Sequence, residues 1–133
     1  MPSLASCKLL CVDPAHVDKL WPIVSGLIKK AIDRGFLQFA EVEKSVLSGD
    51  WLLWLVVDSQ QIRAALVTML THDACEIVAL SGFGAGDWIH LIEGIEKYAR
   101  AEGRARVRII GRKGWARLLP DYKQAAVVLE RHL

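Results

Sequence analysis

The chain has 133 residues, enough for one domain with a substantial core, and 53% of them are apolar, including five Trp, which excludes a disordered segment. Seventeen Lys and Arg against fifteen Asp and Glu leave a net charge of +2, too small to argue by itself for a nucleic-acid or membrane partner. The longest apolar runs, such as Trp51 to Val57, are too short to span a bilayer, and no basic region followed by a long apolar core opens the sequence, so the expectation is a soluble, cytoplasmic protein.

Cys7 to Val12 reads as a first strand. Asp13-Pro14 then supplies an N-cap and a proline at the first helical position. Val17, Leu20, Trp21, Val24, Leu27, Ile28 and Ala31 form an apolar stripe at helical spacing, with Gly35 as its stop. Pro22 lacks an amide donor, which predicts a kink near Trp21 or two shorter helices. A second helix is predicted over Phe39 to Leu47, ended by Ser48-Gly49-Asp50.

Trp51 to Val57 and Ile62 to Leu70 are aliphatic and aromatic runs separated by Asp58-Ser59-Gln60-Gln61, which predicts an antiparallel hairpin. Thr71-His72-Asp73 turns the chain into a Cys75 to Leu80 strand. That strand ends in Ser81-Gly82-Phe83-Gly84-Ala85-Gly86. A periodic helix follows, with Trp88, Leu91, Ile92, Ile95 and Ala99 on one face, Asp87 as N-cap and Gly103 at C′. Val107 to Ile110 then reads as a strand joined by a right-handed parallel crossover. A short helical piece ends at Leu119-Pro120, and Gln124 to Glu130 is predicted as a last strand, within a single domain over 1–133.

Glycines ahead of a helix have two uses. They let backbone amides converge on a phosphate, or they only make a tight turn. A carboxylate at Asp87 would occupy helix N-terminal amides and repel an anion there.

Arg104, Arg106 and Arg108 alternate with small apolar residues, and Arg112, Lys113 and Arg117 continue the basic run around Trp115. Such a patch suits phosphates or a stacked base, or is a solvated face paired with Glu41, Glu43 and Asp50. Cys7, Cys11 and Cys75 show no CxxC pair and the four His are scattered, so no metal site is expected.

The order strand, two helices, three-strand meander, glycine turn, helix, strand, short helix, strand resembles the GNAT superfamily of acyl-CoA-dependent N-acyltransferases over nearly the whole chain. The resemblance implies an α/β fold with a mixed, mainly antiparallel six-strand sheet, a parallel β-α-β crossover and helices on both faces. Its pyrophosphate turn has the pattern Q/R-x-x-G-x-G/A, matched by Ser81, Gly84 and Gly86, with Ser in place of Gln or Arg. The implied cofactor is acetyl-CoA, held by Ser81, Gly82, Phe83, Gly84, Ala85 and Gly86, and the implied substrate is an amine. Arg117 falls where many members carry a Tyr acid, which leaves Tyr122 as acid and Glu76, on the strand before the turn, as base. The segment Gly111 to Arg117 is similar to one in GNAT-like proteins of phages and prophages, which implies a phage-encoded or virion-associated role. Two functions stay open: an N-acetyltransferase, and a GNAT-like binding or assembly protein with a protein partner, a homo-oligomer or a nucleic acid.

Overall fold

The computed structural model describes residues 6–33 and 37–133. The expected stop at Gly35 lies outside the described residues. Strands β1 (Lys8–Cys11), β2 (Leu52–Val57), β3 (Ile62–Leu70), β4 (Ala74–Gly82) and β5 (Arg106–Ile109) form one sheet in the order β1-β2-β3-β4-β5. All neighbours are antiparallel except β4 and β5, which are parallel. Helices α1 (Val17–Ile32) and α2 (Phe39–Ser48) precede the meander; α3 (Ile92–Ala101) makes the crossover and α4 (Trp115–Leu118) follows β5.

Period-two patterning splits the core into two layers. Leu53, Leu55, Ala65 and Val67 pack with Val17, Trp21, Val24 and Ile28 of α1 and Val42 and Val46 of α2. Trp54, Val56, Ala64 and Leu66, from the alternate positions, pack with Ile92, Ile95 and Ala99 of α3 and with Trp88 and Trp115. The expected helices on both faces therefore form.

Asp13 accepts the Ala15 amide at 2.9 Å over a single 3-10 turn, and α1 then runs unbroken through Pro22. The alternative of two shorter helices does not occur. Pro22 is solvent-exposed, so the carbonyl that loses its partner is on the wet side of the helix. Glu43, offered above as a partner for the basic run, instead accepts the Trp21 indole N–H at 2.7 Å and ties α2 to α1.

The expected sixth strand is absent, so the sheet has five strands. Residues 123–133 carry no strand and are exposed; an isolated β-prone run has no ladder of its own, and no free edge within this fold pairs with it. The helix expected directly after the glycine turn also begins later. Two 3-10 turns, Ala85–Asp87 and Ile89–Leu91, come first, because Gly84 and Trp88 interrupt the helical dihedrals.

The register of β3 on β4 shifts between Val67 and Thr68, which face Ala79 and Ile77, so Val78 is an extra residue in β4. That bulge coincides with the end of the parallel pairing at Ile77 and Ile109. Beyond it β4 continues to Gly82 while β5 stops. A bulge bends its strand, and here it falls at the residue after the parallel pairing ends.

Candidate functional site

The site is built on the end of β4. Ser81 and Gly82 are still in the ladder, opposite Ala65 and Ala64. The Phe83 amide donates to the Arg63 carbonyl at 3.0 Å, and the Trp88 indole N–H donates to the Phe83 carbonyl at 2.9 Å. Gly84 is left-handed, with φ +65°, and its carbonyl accepts the Asp87 amide at 2.9 Å. Among the described residues the Gly84, Ala85 and Gly86 amides have no acceptor, which leaves three donors free at the turn.

Two of the glycines are required by Arg63. A Cβ on Gly82 would collide with the Arg63 carbonyl and the Ala64 side chain, and one on Gly84 with the Arg63 guanidinium itself. That guanidinium donates to Asp58 at 3.2 Å and to Asp87 at 2.9 Å, and lies 5.0 Å from the centre of the Phe83 ring. Its Nε is buried with no partner among the described residues. The hydrogen bond to Asp87 raises the Arg63 pKa further, so the group is a fixed cation. Asp58 is held below the usual carboxylate range, chiefly by the Gln60 amide and then by Arg63.

Asp87 therefore behaves differently from the expectation above. Its side chain makes no cap hydrogen bond, and its charge is matched by Arg63 instead of facing the turn amides. A cavity of about 410 Å³ opens beside this pair, lined by Cys7, Asp58, Arg63, Gly86, Asp87 and His90. Arg63 was not legible as a site residue. The only sequence signal is a lone charge inside the apolar run Ile62 to Leu70, and its meaning depends on a register that sets Ala64 opposite Gly82.

The two residues expected to do acid and base work are not brought together. Glu76 is the register partner of Arg108 across the parallel pair, and their side chains form an ion pair at 3.2 Å. Tyr122 donates its hydroxyl proton to Glu96 on α3 at 2.7 Å. Burial, and then the Glu96 carboxylate, push the phenol well above its ordinary pKa, so it holds its proton at neutral pH. Tyr122 and Glu96 line a second cavity of about 380 Å³ over α3, together with His90, Glu93, Arg100 and Asp121.

The basic run is largely spent on structure. Arg104 donates to the Thr71 carbonyl at 2.9 Å, Arg106 pairs with Asp73 at 2.7 Å, and Arg108 bridges Asp73 and Glu76. The partners are thus Asp73 and Glu76, which neighbour the run across β4 and β5, and not Glu41 or Asp50. Arg112 lies 5.8 Å from the Trp115 ring centre, while Lys113 and Arg117 are exposed. Trp115 packs 6.2 Å from Trp88, beside Gly111, and the two indoles belong to the core layer that contains Leu80. Past the bulge, Val78 to Ser81 are buried, Val78 and Ala79 in the layer of α1 and α2 and Leu80 in the layer of Trp88 and Trp115.

No family model matches the chain, and no curated protein is similar to it in sequence. Solved structures are similar in fold. An aminoglycoside acetyltransferase, meta-AAC0020, from an uncultured soil metagenomic sample superposes with a TM-score of 0.66 at 12% identity, over 96% of this chain and 97% of that one. The chain has the GNAT acetyltransferase fold. The aminoglycoside N-acetyltransferase AAC(6')-Iy, crystallised in complex with CoA, gives a TM-score of 0.67 at 10% identity, covering 99% of this chain and 98% of that chain. A ribosomal-protein-alanine N-acetyltransferase from Brucella melitensis biovar Abortus 2308 gives 0.64 at 11% identity, over 96% and 97%. Among the described residues of this acetyltransferase-fold chain, no helix is long and apolar enough to cross a membrane, and no group of three His, Cys, Asp or Glu is placed to hold a metal.

Proposed function

We propose that the chain binds an acyl-CoA through the turn that ends β4 and transfers the acyl group to an amine. One observation carries this reading: the free Gly84, Ala85 and Gly86 amides stand at a turn whose own cation, Arg63, is shared between the buried Asp58 carboxylate and the half-exposed Asp87 carboxylate. A diphosphate brings more charge than Asp87 and several acceptor oxygens, so it can displace that carboxylate from the guanidinium while taking the amides. Arg63 then supplies, from β3, the cation that Ser81 does not supply in the turn.

Fold and chemistry support the rest. An arm running from the turn along β4 passes Val78, the bulged residue without a register partner, whose backbone suits a thioester carbonyl. An amine nitrogen attacks that carbonyl, a C–N bond forms, the C–S bond breaks with CoA leaving as the thiolate, and the amine proton passes through water to that thiolate to give the free thiol. The arm needs Trp115 to swing out, and Trp115 sits on a helix of only four residues.

A second reading, cofactor binding or assembly without catalysis, is favoured by the engagement of Glu76 with Arg108 and of Tyr122 with Glu96. Calorimetric titration with acetyl-CoA, followed by an assay of CoA thiol release over a panel of primary amines and aminoglycosides, tests both. Heat with turnover supports transfer, and heat without turnover supports the second reading. Absence of heat at millimolar acetyl-CoA overturns the proposed site.

A further inference from the structure

Phe83 stands apart from the other aromatic residues. Among the described residues it packs in neither core layer, and it is the one aromatic side chain left exposed, at 49%, while every Trp, every Tyr and Phe39 are buried or half-buried. Its neighbours in the chain are Gly82 and Gly84, so no adjoining side chain screens the ring. The backbone beneath it is fixed all the same. The Phe83 amide donates to the Arg63 carbonyl at 3.0 Å, and the Phe83 carbonyl accepts the Trp88 indole N–H at 2.9 Å. The Arg63 guanidinium lies over one face of the ring, 5.0 Å from its centre.

We infer that the open face of Phe83 stacks the adenine of the acyl-CoA nucleotide, so that this one side chain recognises the base. The inference rests on the acyl-CoA reading above. The Gly84, Ala85 and Gly86 amides that take the diphosphate in that reading follow Phe83 directly, and in CoA the adenine is joined to the diphosphate through a single ribose. A base one sugar away from the turn is within reach of the ring. Stacking removes apolar surface of both partners from water and works for any flat π face.

Arg63 makes the ring a better platform. A guanidinium against its inner face restricts the side chain before any ligand arrives, so less rotamer freedom is lost when a base stacks on the outer one. The same guanidinium is the cation that meets the diphosphate, which places charge and π surface at the spacing of a nucleotide's own two parts. The other exposed large apolar residues, Leu10, Ile23, Leu47 and Leu118 among them, are aliphatic and offer a base no plane.

Calorimetric titration of the full chain with acetyl-CoA and with acetyl-4′-phosphopantetheine, which keeps the acyl arm and a phosphate but lacks the base, tests this beside Phe83→Ala, Phe83→Leu and Phe83→Trp. Phe83→Ala and Phe83→Leu should weaken acetyl-CoA by about tenfold to a hundredfold and leave acetyl-4′-phosphopantetheine unchanged, whereas Phe83→Trp should bind acetyl-CoA at least as tightly as the native chain. Melting temperatures should stay near the native value, because the ring contributes to neither layer, and NMR of the native complex should show adenine protons against the Phe83 ring. Equal losses for the two ligands would mean that Phe83 acts only by holding Arg63, and would overturn the inference. So would an unchanged acetyl-CoA affinity in Phe83→Ala, a Phe83→Leu that matches the native chain, a native complex without adenine-to-ring contacts, or a variant that unfolds. Each of these leaves the acyl-CoA reading standing. A native chain that gives no heat with acetyl-CoA removes that reading, and the role of Phe83 with it.

Discussion

The Arg63 guanidinium donates to the Asp87 carboxylate at 2.9 Å, from β3 across to the turn that ends β4. This contact decides how the glycine turn is to be read. A carboxylate lying on free amides would block an anion, whereas a carboxylate held by a cation beside free amides is a tenant that a stronger anion replaces.

The two partners should therefore act in opposite directions on acetyl-CoA. Arg63→Ala removes a charge-assisted donor to the diphosphate and should weaken binding by roughly tenfold to a hundredfold. Asp87→Asn removes the competitor and should tighten it. Calorimetric titration at low and moderate salt reads both, and equal effects of the two variants would show that the pair only supports the fold.

Much of the frame was legible in the sequence because it rests on local signals. The Asp13-Pro14 start, the Gly49 and Gly103 positions and the apolar run Trp51 to Val57 all correspond to observed elements, with ends shifted by a residue or so. The site was legible only as a turn. Arg63 reaches it through strand pairing from 21 residues away in sequence to Gly84, and pairing of that kind leaves no local pattern. The same holds for Asp87, whose neighbours in sequence suggest a cap while its neighbour in space is a guanidinium. The final strand failed for the converse reason. Its composition is that of a strand, but composition cannot supply a partner, and residues 123–133 find none among the described residues.

Gly84 and Gly103 both have positive φ, +65° and +72°, yet only one has a crowded surrounding. Gly103 has open space where a Cβ would go, so Gly103→Ala should cost only the left-handed penalty of about 1 to 2 kcal/mol. Gly84→Ala meets that penalty and also the Arg63 guanidinium, and should cost more. Chemical denaturation of the two variants measures the order, and a smaller loss at Gly84 would mean that Arg63 moves aside freely.

Trp88 is fully buried between α3 and the sheet and packs against Trp115 in the layer that contains Leu80. Trp88→Ala should cost about 3 to 5 kcal/mol, from lost burial and the cavity left behind. Trp115→Ala, on a four-residue helix at the rim, should cost less and should speed acetyl-CoA association. Unfolding curves and stopped-flow binding separate the effects. An unchanged association rate would mean that Trp115 is no barrier to the arm.

The three thiols are free and differ in setting. Burial pushes Cys75 up to about 11, and Cys11, though exposed, is also raised by partial desolvation and by Asp13. A thiol reagent near pH 8 should therefore modify Cys11 slowly and leave Cys75 untouched until the domain unfolds. Mass mapping after timed labelling checks this, and early modification of Cys75 would show that the layer under α3 opens locally.

Asp58 accepts the Gln60 and Gln61 amides at 2.8 and 3.0 Å and also pairs with Arg63, so its folded pKa lies below the unfolded value of about 3.9. A depressed carboxylate stabilises the fold at every pH above its unfolded value, and that contribution is lost as pH falls through the folded value. Asp73 behaves in the same way: burial opposes the shift, but Arg108 and Arg106 outweigh it. Melting temperature should thus fall below about pH 4 for the native chain. Asp58→Asn should melt lower than the native chain at neutral pH, and the gap between them should narrow on acidification, because protonated Asp58 has already lost what the variant lacks. Calorimetry at neutral pH and near pH 3 gives the comparison. A gap that is the same at both would place the role of Asp58 in the shape of the hairpin turn and not in its charge.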